Sequence, residues 1–197
     1  MQTIWAETAL LPTGWATGVR VDIDVRGRIC GVQTGAPARG TRVAMLLPAP
    51  ANVHSHAFQR AMAGLTERRG PDPSDSFWTW RQLMFRFLDR LTPDHIEAIT
   101  AFVQMEMLEA GYGASVEFHY LHHQQGGVPY DNIAETSTRV LAAADQTGMG
   151  LCLLPVHYQY GGCDQRDLTA GQIRFGNTME QFQTLHAAAS SSLSDAS

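Results

Sequence analysis

Two imidazoles at i, i+2 stand in the stretch Pro50-Ala-Asn-Val-His-Ser-His-Ala-Phe-Gln-Arg60. On an extended backbone, side chains two apart point the same way, so His54 and His56 can grip one metal ion from one side. A catalytic zinc takes about three protein ligands and keeps one position for water. At least one further ligand must therefore come from elsewhere. His-x-His also arises in turns and as hydrogen-bonded surface histidines, so its context matters.

That context is an apolar run, Val43-Ala-Met-Leu-Leu47, closed by Pro48 and Pro50. It reads as a buried strand that ends where the histidines begin, and side chains at the carboxyl ends of strands are where barrel enzymes do chemistry. Before it, Val19, Val21, Ile23 and Val25 alternate with Arg20, Asp22, Asp24 and Arg26, the period of a half-buried strand. Arg26-Gly27-Arg28 then turns the chain into Ile29–Val32. Residues 1–41 are read as a small β unit whose end, Thr34 to Gly40, is a connection.

After the histidines, helix and strand alternate. Thr92, Pro93 and Asp94 form a helix start, Ile96, Ile99, Val103 and Met107 recur near helical spacing, and Gly111 stops the helix. A strand follows from Ala114 to Tyr120, a helix from about Asn132 to Thr147 closed by Gly148, and a strand from Gly150 to Val156. This order predicts an α/β fold with a parallel sheet, here a partial (β/α)8 barrel of three to four βα units over residues 42–186. A whole barrel needs about 250 residues, and about 150 follow the β unit. The chain is thus expected to stop short of its natural domain. Residues 187–197, small and polar, are expected to be a disordered tail.

Composition narrows the function. With 44% apolar and 17% charged residues in 197, the chain is an ordinary globular sequence. A net charge of −5, with no basic cluster beyond Arg68-Arg69, argues against nucleic acid or an anionic membrane as partner and favours a small polar molecule. All 14 basic residues are arginine, which excludes lysine nucleophiles. Cys30, Cys152 and Cys163 lack metal-like spacing, so no disulfide framework is expected and a reducing, cytoplasmic compartment fits. No apolar run approaches the ~20 residues of a membrane span.

Taken together, Asn52-Val-His-Ser-His-Ala-Phe-Gln-Arg-Ala-Met-Ala-Gly64, Asp75-Ser-Phe-Trp-Thr-Trp-Arg81 and Glu117-Phe-His-Tyr-Leu-His-His123 resemble the formimidoylglutamate deiminases of the amidohydrolase superfamily. The resemblance runs from about Leu46 through Phe175. It implies one zinc ion held by His54 and His56, with a later histidine, an aspartate and the acid/base groups expected beyond Ser197. Other divalent metals also suit imidazole ligands. It further implies hydrolysis of N-formimino-L-glutamate to N-formyl-L-glutamate and ammonia, and a homodimer in the complete enzyme. Gln59, Arg81 and Tyr120 match the family's substrate-binding residues, Arg81 as the fork that pairs with a carboxylate.

Each residue also has a plainer role. Arg81 follows two tryptophans and suits stacking on a ring; Tyr120 ends a strand whose inward face is Val116, Phe118 and Tyr120, and suits a core position. His119, on the opposite face with Glu117, is not read as part of a second metal site with His122 and His123. His157 stands at a strand end without an assigned role, and His95 and His186 read as solvated helix residues. The aromatic stretch Asp75 to Leu91 reads as a helix packed on the barrel or on a partner subunit. Two alternatives remain: a deaminase of the same superfamily acting on a ring, which a carboxylate-binding arginine disfavours, and a catalytically silent chain that binds zinc weakly at most.

Overall fold

A computed structural model of the protein describes residues 1–66 and 76–194. Arg68, Arg69 and Asp75 lie outside the described residues. The chain forms two compact units, Met1–Ala49 and Pro50–Ser197.

The first unit is a four-stranded sheet in the order β3-β2-β1-β4. Strands β1 (Gln2–Leu11) and β2 (Gly14–Ile23) form an antiparallel hairpin, β3 (Ile29–Gln33) pairs with β2, and β4 (Thr41–Leu46) runs parallel to β1. The expected alternation buries Val19 and Val21 with Ala6 and Ala9. Gly40 has φ +80°, and a β-carbon there would collide with the Thr3 carbonyl, so glycine is required where the chain enters β4 beside β1. Trp5 donates its indole N–H to the Ala36 carbonyl at 2.8 Å and ties down the connection.

The apolar run at 43–47 is therefore not the first barrel strand. It completes the β unit, with Val43 and Leu46 packed on that unit's core while Met45 and Leu47 remain 58% and 52% exposed. Apolar character marked a strand but not its pairing partner. The histidines sit on a separate strand, β5 (Ala51–Ser55), beyond the two prolines.

The second unit carries the parallel sheet β5-β6-β7, with β6 at Ala114–His119 and β7 at Gly150–Pro155. Between β5 and β6 lie a 3-10 turn (Ala57–Met62), α1 (Phe77–Leu88) and α2 (Pro93–Glu109). Helix α3 (Glu135–Thr147) joins β6 to β7, and α4 (Met179–Ser194) follows. This is the expected βα arrangement, three parallel strands of a barrel type without closure. The Thr92 hydroxyl accepts the His95 N–H and the Thr92 N–H is taken by His95 Nδ1, a reciprocal cap that starts α2 where expected. Gly148, with φ +73°, ends α3.

The carboxyl-terminal stretch differs from expectation. Ala187 to Ser194 continues α4, since alanine is the best helix former and the buried Leu185 and Ala189 anchor one face. Residues 195–197 lie outside the described residues. The core gathers Phe58, Met62, Met84, Leu88, Leu91, Ile96, Leu121, Val140 and Phe175.

Within this core Arg174 is 1% exposed. Its guanidinium donates to the carbonyls of Leu88, Leu91 (3.1 Å) and His123 (2.9 Å), joining the end of α1 to the segment after β6. The partial negative charge at a helix carboxyl end suits a buried cation. Replacing it with an apolar side chain would strand these acceptors. Arg174→Met is expected to cost about 3 kcal/mol of stability, read from the urea unfolding midpoint. A loss below about 1 kcal/mol would show that Arg174 does not anchor α1.

Candidate active site

Strand β5 presents His54, and His56 follows its end. The two rings meet edge to face with centroids 4.9 Å apart. Just before them, the Asn52 side chain accepts the His54 N–H at 3.1 Å and reaches the Met107 sulfur of α2, fixing the strand's approach. His56 Nδ1 lies 3.2 Å from the Phe118 carbonyl of β6. A carbonyl only accepts, so Nδ1 carries the hydrogen and Nε2 keeps its lone pair. Partial burial lowers the His56 pKa, against the bond to Phe118, and the neighbouring His54 lowers it further. The neutral ring is the form that binds a metal.

The backbone around His56 is braced from β6. Glu117 is buried and accepts the Ala57 N–H at 2.7 Å, and the Ser55 side chain also bonds it. Burial raises its pKa while these donors pull it back. The strand's two faces are divided as alternation requires, but the polar face is the covered one: Ser115, Glu117 and His119 are 2–3% exposed, while Phe118 is 43% exposed on the face that His56 touches. His119 reaches Thr136 of α3 at 3.0 Å, opposite Tyr120.

Tyr120 is the hub of the other expected residues. Gln59, on the 3-10 turn, donates to its hydroxyl at 3.0 Å, and its ring meets His56 at 5.5 Å and Phe175 at 4.8 Å. Burial pushes the phenol up to about 12, so it stays a neutral donor. Arg81, from α1, has its guanidinium carbon 5.7 Å from the Trp78 ring and 5.1 Å from Phe85, which satisfies the stacking role, and its Nη2 lies 3.4 Å from the Tyr158 hydroxyl. Tyr158 in turn packs on Phe175 at 5.5 Å. His54 meets His56, His56 meets Tyr120, and Tyr120 bonds Gln59, so the four form one chain of contacts. Arg81 joins them through Tyr158 and Phe175, and lines a cleft of about 350 Å³ that none of those four residues lines.

Tyr158 and Gln172 were not legible as site residues. Tyr158 follows the end of β7, where barrel site residues stand, and that position was the available signal. His157 beside it turns instead to the Asn177 carbonyl and the Phe182 ring. His122 donates from Nε2 to the Val156 carbonyl at 2.9 Å, and His123 bonds Gly176 and Asn177. These buried rings brace the strand-end loops. His95 and His186 are exposed on their helices. Cys30, Cys152 and Cys163 are exposed free thiols.

Residues 1–42 match the family model described as the amino-terminal domain of formimidoylglutamate deiminase HutF. A curated formimidoylglutamate deiminase from Pseudomonas aeruginosa is 48% identical over 187 residues, 94% of this chain and 41% of the relative. The chain thus spans less than half of that relative's length. A crystal structure of an amidohydrolase from Brucella melitensis superposes with a TM-score of 0.93 at 45% identity, covering 99% of this chain and 44% of the other. An atrazine chlorohydrolase from Arthrobacter aurescens, solved with zinc and atraton, superposes with a TM-score of 0.65 at 17% identity over 92% of this chain and 41% of its own, which shows the shared fold.

The buried histidines make stability depend on pH. Burial lowers the pKa of His122 from 6.5 to about 4, and those of His119 and His123 also fall. The unfolded chain therefore binds more protons between these values, and stability present above pH 6.5 drains away as pH falls toward 4. His122→Gln is expected to flatten this fall by at most on the order of 3 kcal/mol, measured as urea midpoints from pH 7 to 4. An unchanged slope would remove His122 from the account.

Proposed function

We propose, for a chain that carries formimidoylglutamate deiminase sequence on an amidohydrolase fold, that it supplies the first metal ligands and part of the substrate pocket of a hydrolase. The reaction is N-formimino-L-glutamate plus water to N-formyl-L-glutamate plus ammonia. The observation that carries this reading is the His54–His56 pair, with His56 Nε2 freed for a metal, in contact with the Gln59–Tyr120 hydrogen bond.

The donor set fits zinc in kind. Two neutral imidazoles are zinc ligands, and other divalent metals accept them too. Among the described residues no group of three His, Cys, Asp or Glu is placed to hold a metal; in this reading His54 and His56 are this chain's share of the ligands. When bound, zinc supplies Lewis acidity that makes a water acidic near neutral pH.

The remaining residues recognise the substrate. The Gln59 amide and the neutral Tyr120 hydroxyl, whose hydrogen rests on the Met84 sulfur at 3.8 Å, stand close to His56, and the Gln59–Tyr120 bond holds both in place. Arg81, stacked between two rings and paired with no carboxylate among the described residues, takes a substrate carboxylate. A small anionic substrate, a cytoplasmic setting and a homodimer belong to the same reading. Phe77 and Trp78 of α1, 62% and 60% exposed, support the dimer, since aromatic enrichment marks interfaces. No helix of the described residues is long and apolar enough to cross a membrane.

Two imidazoles hold zinc loosely. The 197-residue chain is expected to retain well under one zinc per chain after dialysis and to release no ammonia from N-formimino-L-glutamate. Atomic emission and a coupled ammonia assay measure both. His54→Ala and His56→Ala should each abolish the residual zinc. Retention of zinc in both variants would overturn the metal assignment, whereas turnover by the parent chain would show that its ligand set suffices.

A further inference from the structure

The pairing of β5 with β6 is irregular where the histidines stand. Asn52 pairs with Ser115 and Ser55 with Glu117, so Val53 and His54 together oppose the single residue Val116. An extra residue of this kind re-aims every side chain that follows it, because successive residues of a strand point to opposite faces. Ser55, Ser115 and Glu117 are buried on the covered side of the sheet, and Asn52 reaches Met107 of α2 from the same side. Without the extra residue, His54 and His56 would follow Asn52 to that side. With it, they take the side of Phe118 and Tyr120, whose rings His56 meets at 5.2 and 5.5 Å.

Such a shift interrupts the ladder of backbone hydrogen bonds and has to be held by other groups. Two side chains hold it. Asn52 accepts the His54 N–H at 3.1 Å. The Glu117 carboxyl spans His56, accepting the Ala57 N–H at 2.7 Å on one side of that residue and the Ser55 hydroxyl on the other. A carboxylate can accept several bonds at once, so one residue of β6 grips two positions of the neighbouring chain. Glu117 forms no ion pair among the described residues, so its burial is compensated by these donors.

We infer that Glu117 is a positioning residue for the metal ligands: by fixing Ser55 and Ala57 it holds the register shift that turns His54 and His56 together toward the site and seats the His56 ring on the Phe118 carbonyl. The inference rests on the reading of that pair as metal ligands. Glu117 lies on the opposite side of the sheet from the two rings and acts on them through the backbone.

The test uses the purified 197-residue chain with isotope-labelled histidine and reads the imidazole nitrogen shifts by nuclear magnetic resonance, first without metal and then through a zinc titration. The parent is expected to show His56 as a single tautomer with its hydrogen on Nδ1, and the His54 and His56 signals are expected to move with zinc. Glu117→Leu should turn the His56 signals into an average of two tautomers and weaken zinc binding at least about tenfold. Glu117→Gln, whose amide oxygen still accepts from Ala57, should keep the Nδ1–H tautomer and a zinc affinity within about threefold of the parent. Circular dichroism shows which variants fold. If Glu117→Leu does not, Glu117→Asp takes its place: its carboxylate is drawn back by a methylene, and both readings are expected to move in the same direction. Loss of the tautomer and of zinc affinity in a folded variant, with both kept by glutamine, supports the positioning role; packing alone would move neither. An unmoved tautomer and affinity in folded Glu117→Leu or Glu117→Asp overturn the role of Glu117 and leave the histidines standing as ligands. Parent signals indifferent to zinc overturn the ligand reading and the role of Glu117 with it.

Discussion

A carbonyl oxygen accepts hydrogen bonds and never donates them, and this asymmetry organises the site. By receiving the Nδ1 hydrogen of His56, the Phe118 carbonyl determines which ring nitrogen keeps its lone pair. The bond spans from the end of β5 to β6, so it exists only if those strands lie side by side in parallel. The sheet is therefore part of the candidate site, not only its support. Glu117 works from the same strand, taking the backbone N–H just beyond His56 and restraining the turn that carries Gln59.

Strand alternation lets one short strand serve two environments. Ser115, Glu117 and His119 face covered protein and engage the β5 turn and α3, while Phe118 and, past the strand end, Tyr120 face the histidines. A buried glutamate and several buried histidines are costly unless bonded. Here Glu117 takes the Ala57 N–H, each buried histidine bonds through Nε2, and the neutral ring is the form that burial favours.

Arg174 performs the corresponding task for α1. A helix alone fixes its own side chains relative to one another but not relative to a sheet. Three carbonyl acceptors on one buried guanidinium tie the end of α1 to the segment after β6, and Phe175 next to it packs on Tyr120, Phe85 and Tyr158. Through these contacts the arginine of α1 and the tyrosine after β6 keep one arrangement.

Local signals were legible where their physics is local. The cap at Thr92, the stops at Gly111 and Gly148, the alternation in β2 and the i, i+2 spacing of His54 and His56 each depend on a few neighbouring residues, and the structure places them as their chemistry requires. The motifs around Gln59, Arg81 and Tyr120 were equally plain as residue types. Pairing was not local. The apolar run at 43–47 joined β1 instead of opening the barrel, and alanines at 187–189 extended a helix because Leu185 and Ala189 found a core. Tyr158, Gln172 and Arg174 acquire their significance from partners up to 86 residues away. The sequence by itself determined which groups were present and how each short stretch would bend. Only the tertiary structure decided which of them meet, because contact between distant residues is set by burial and hydrogen-bond satisfaction over the whole chain and leaves no local trace.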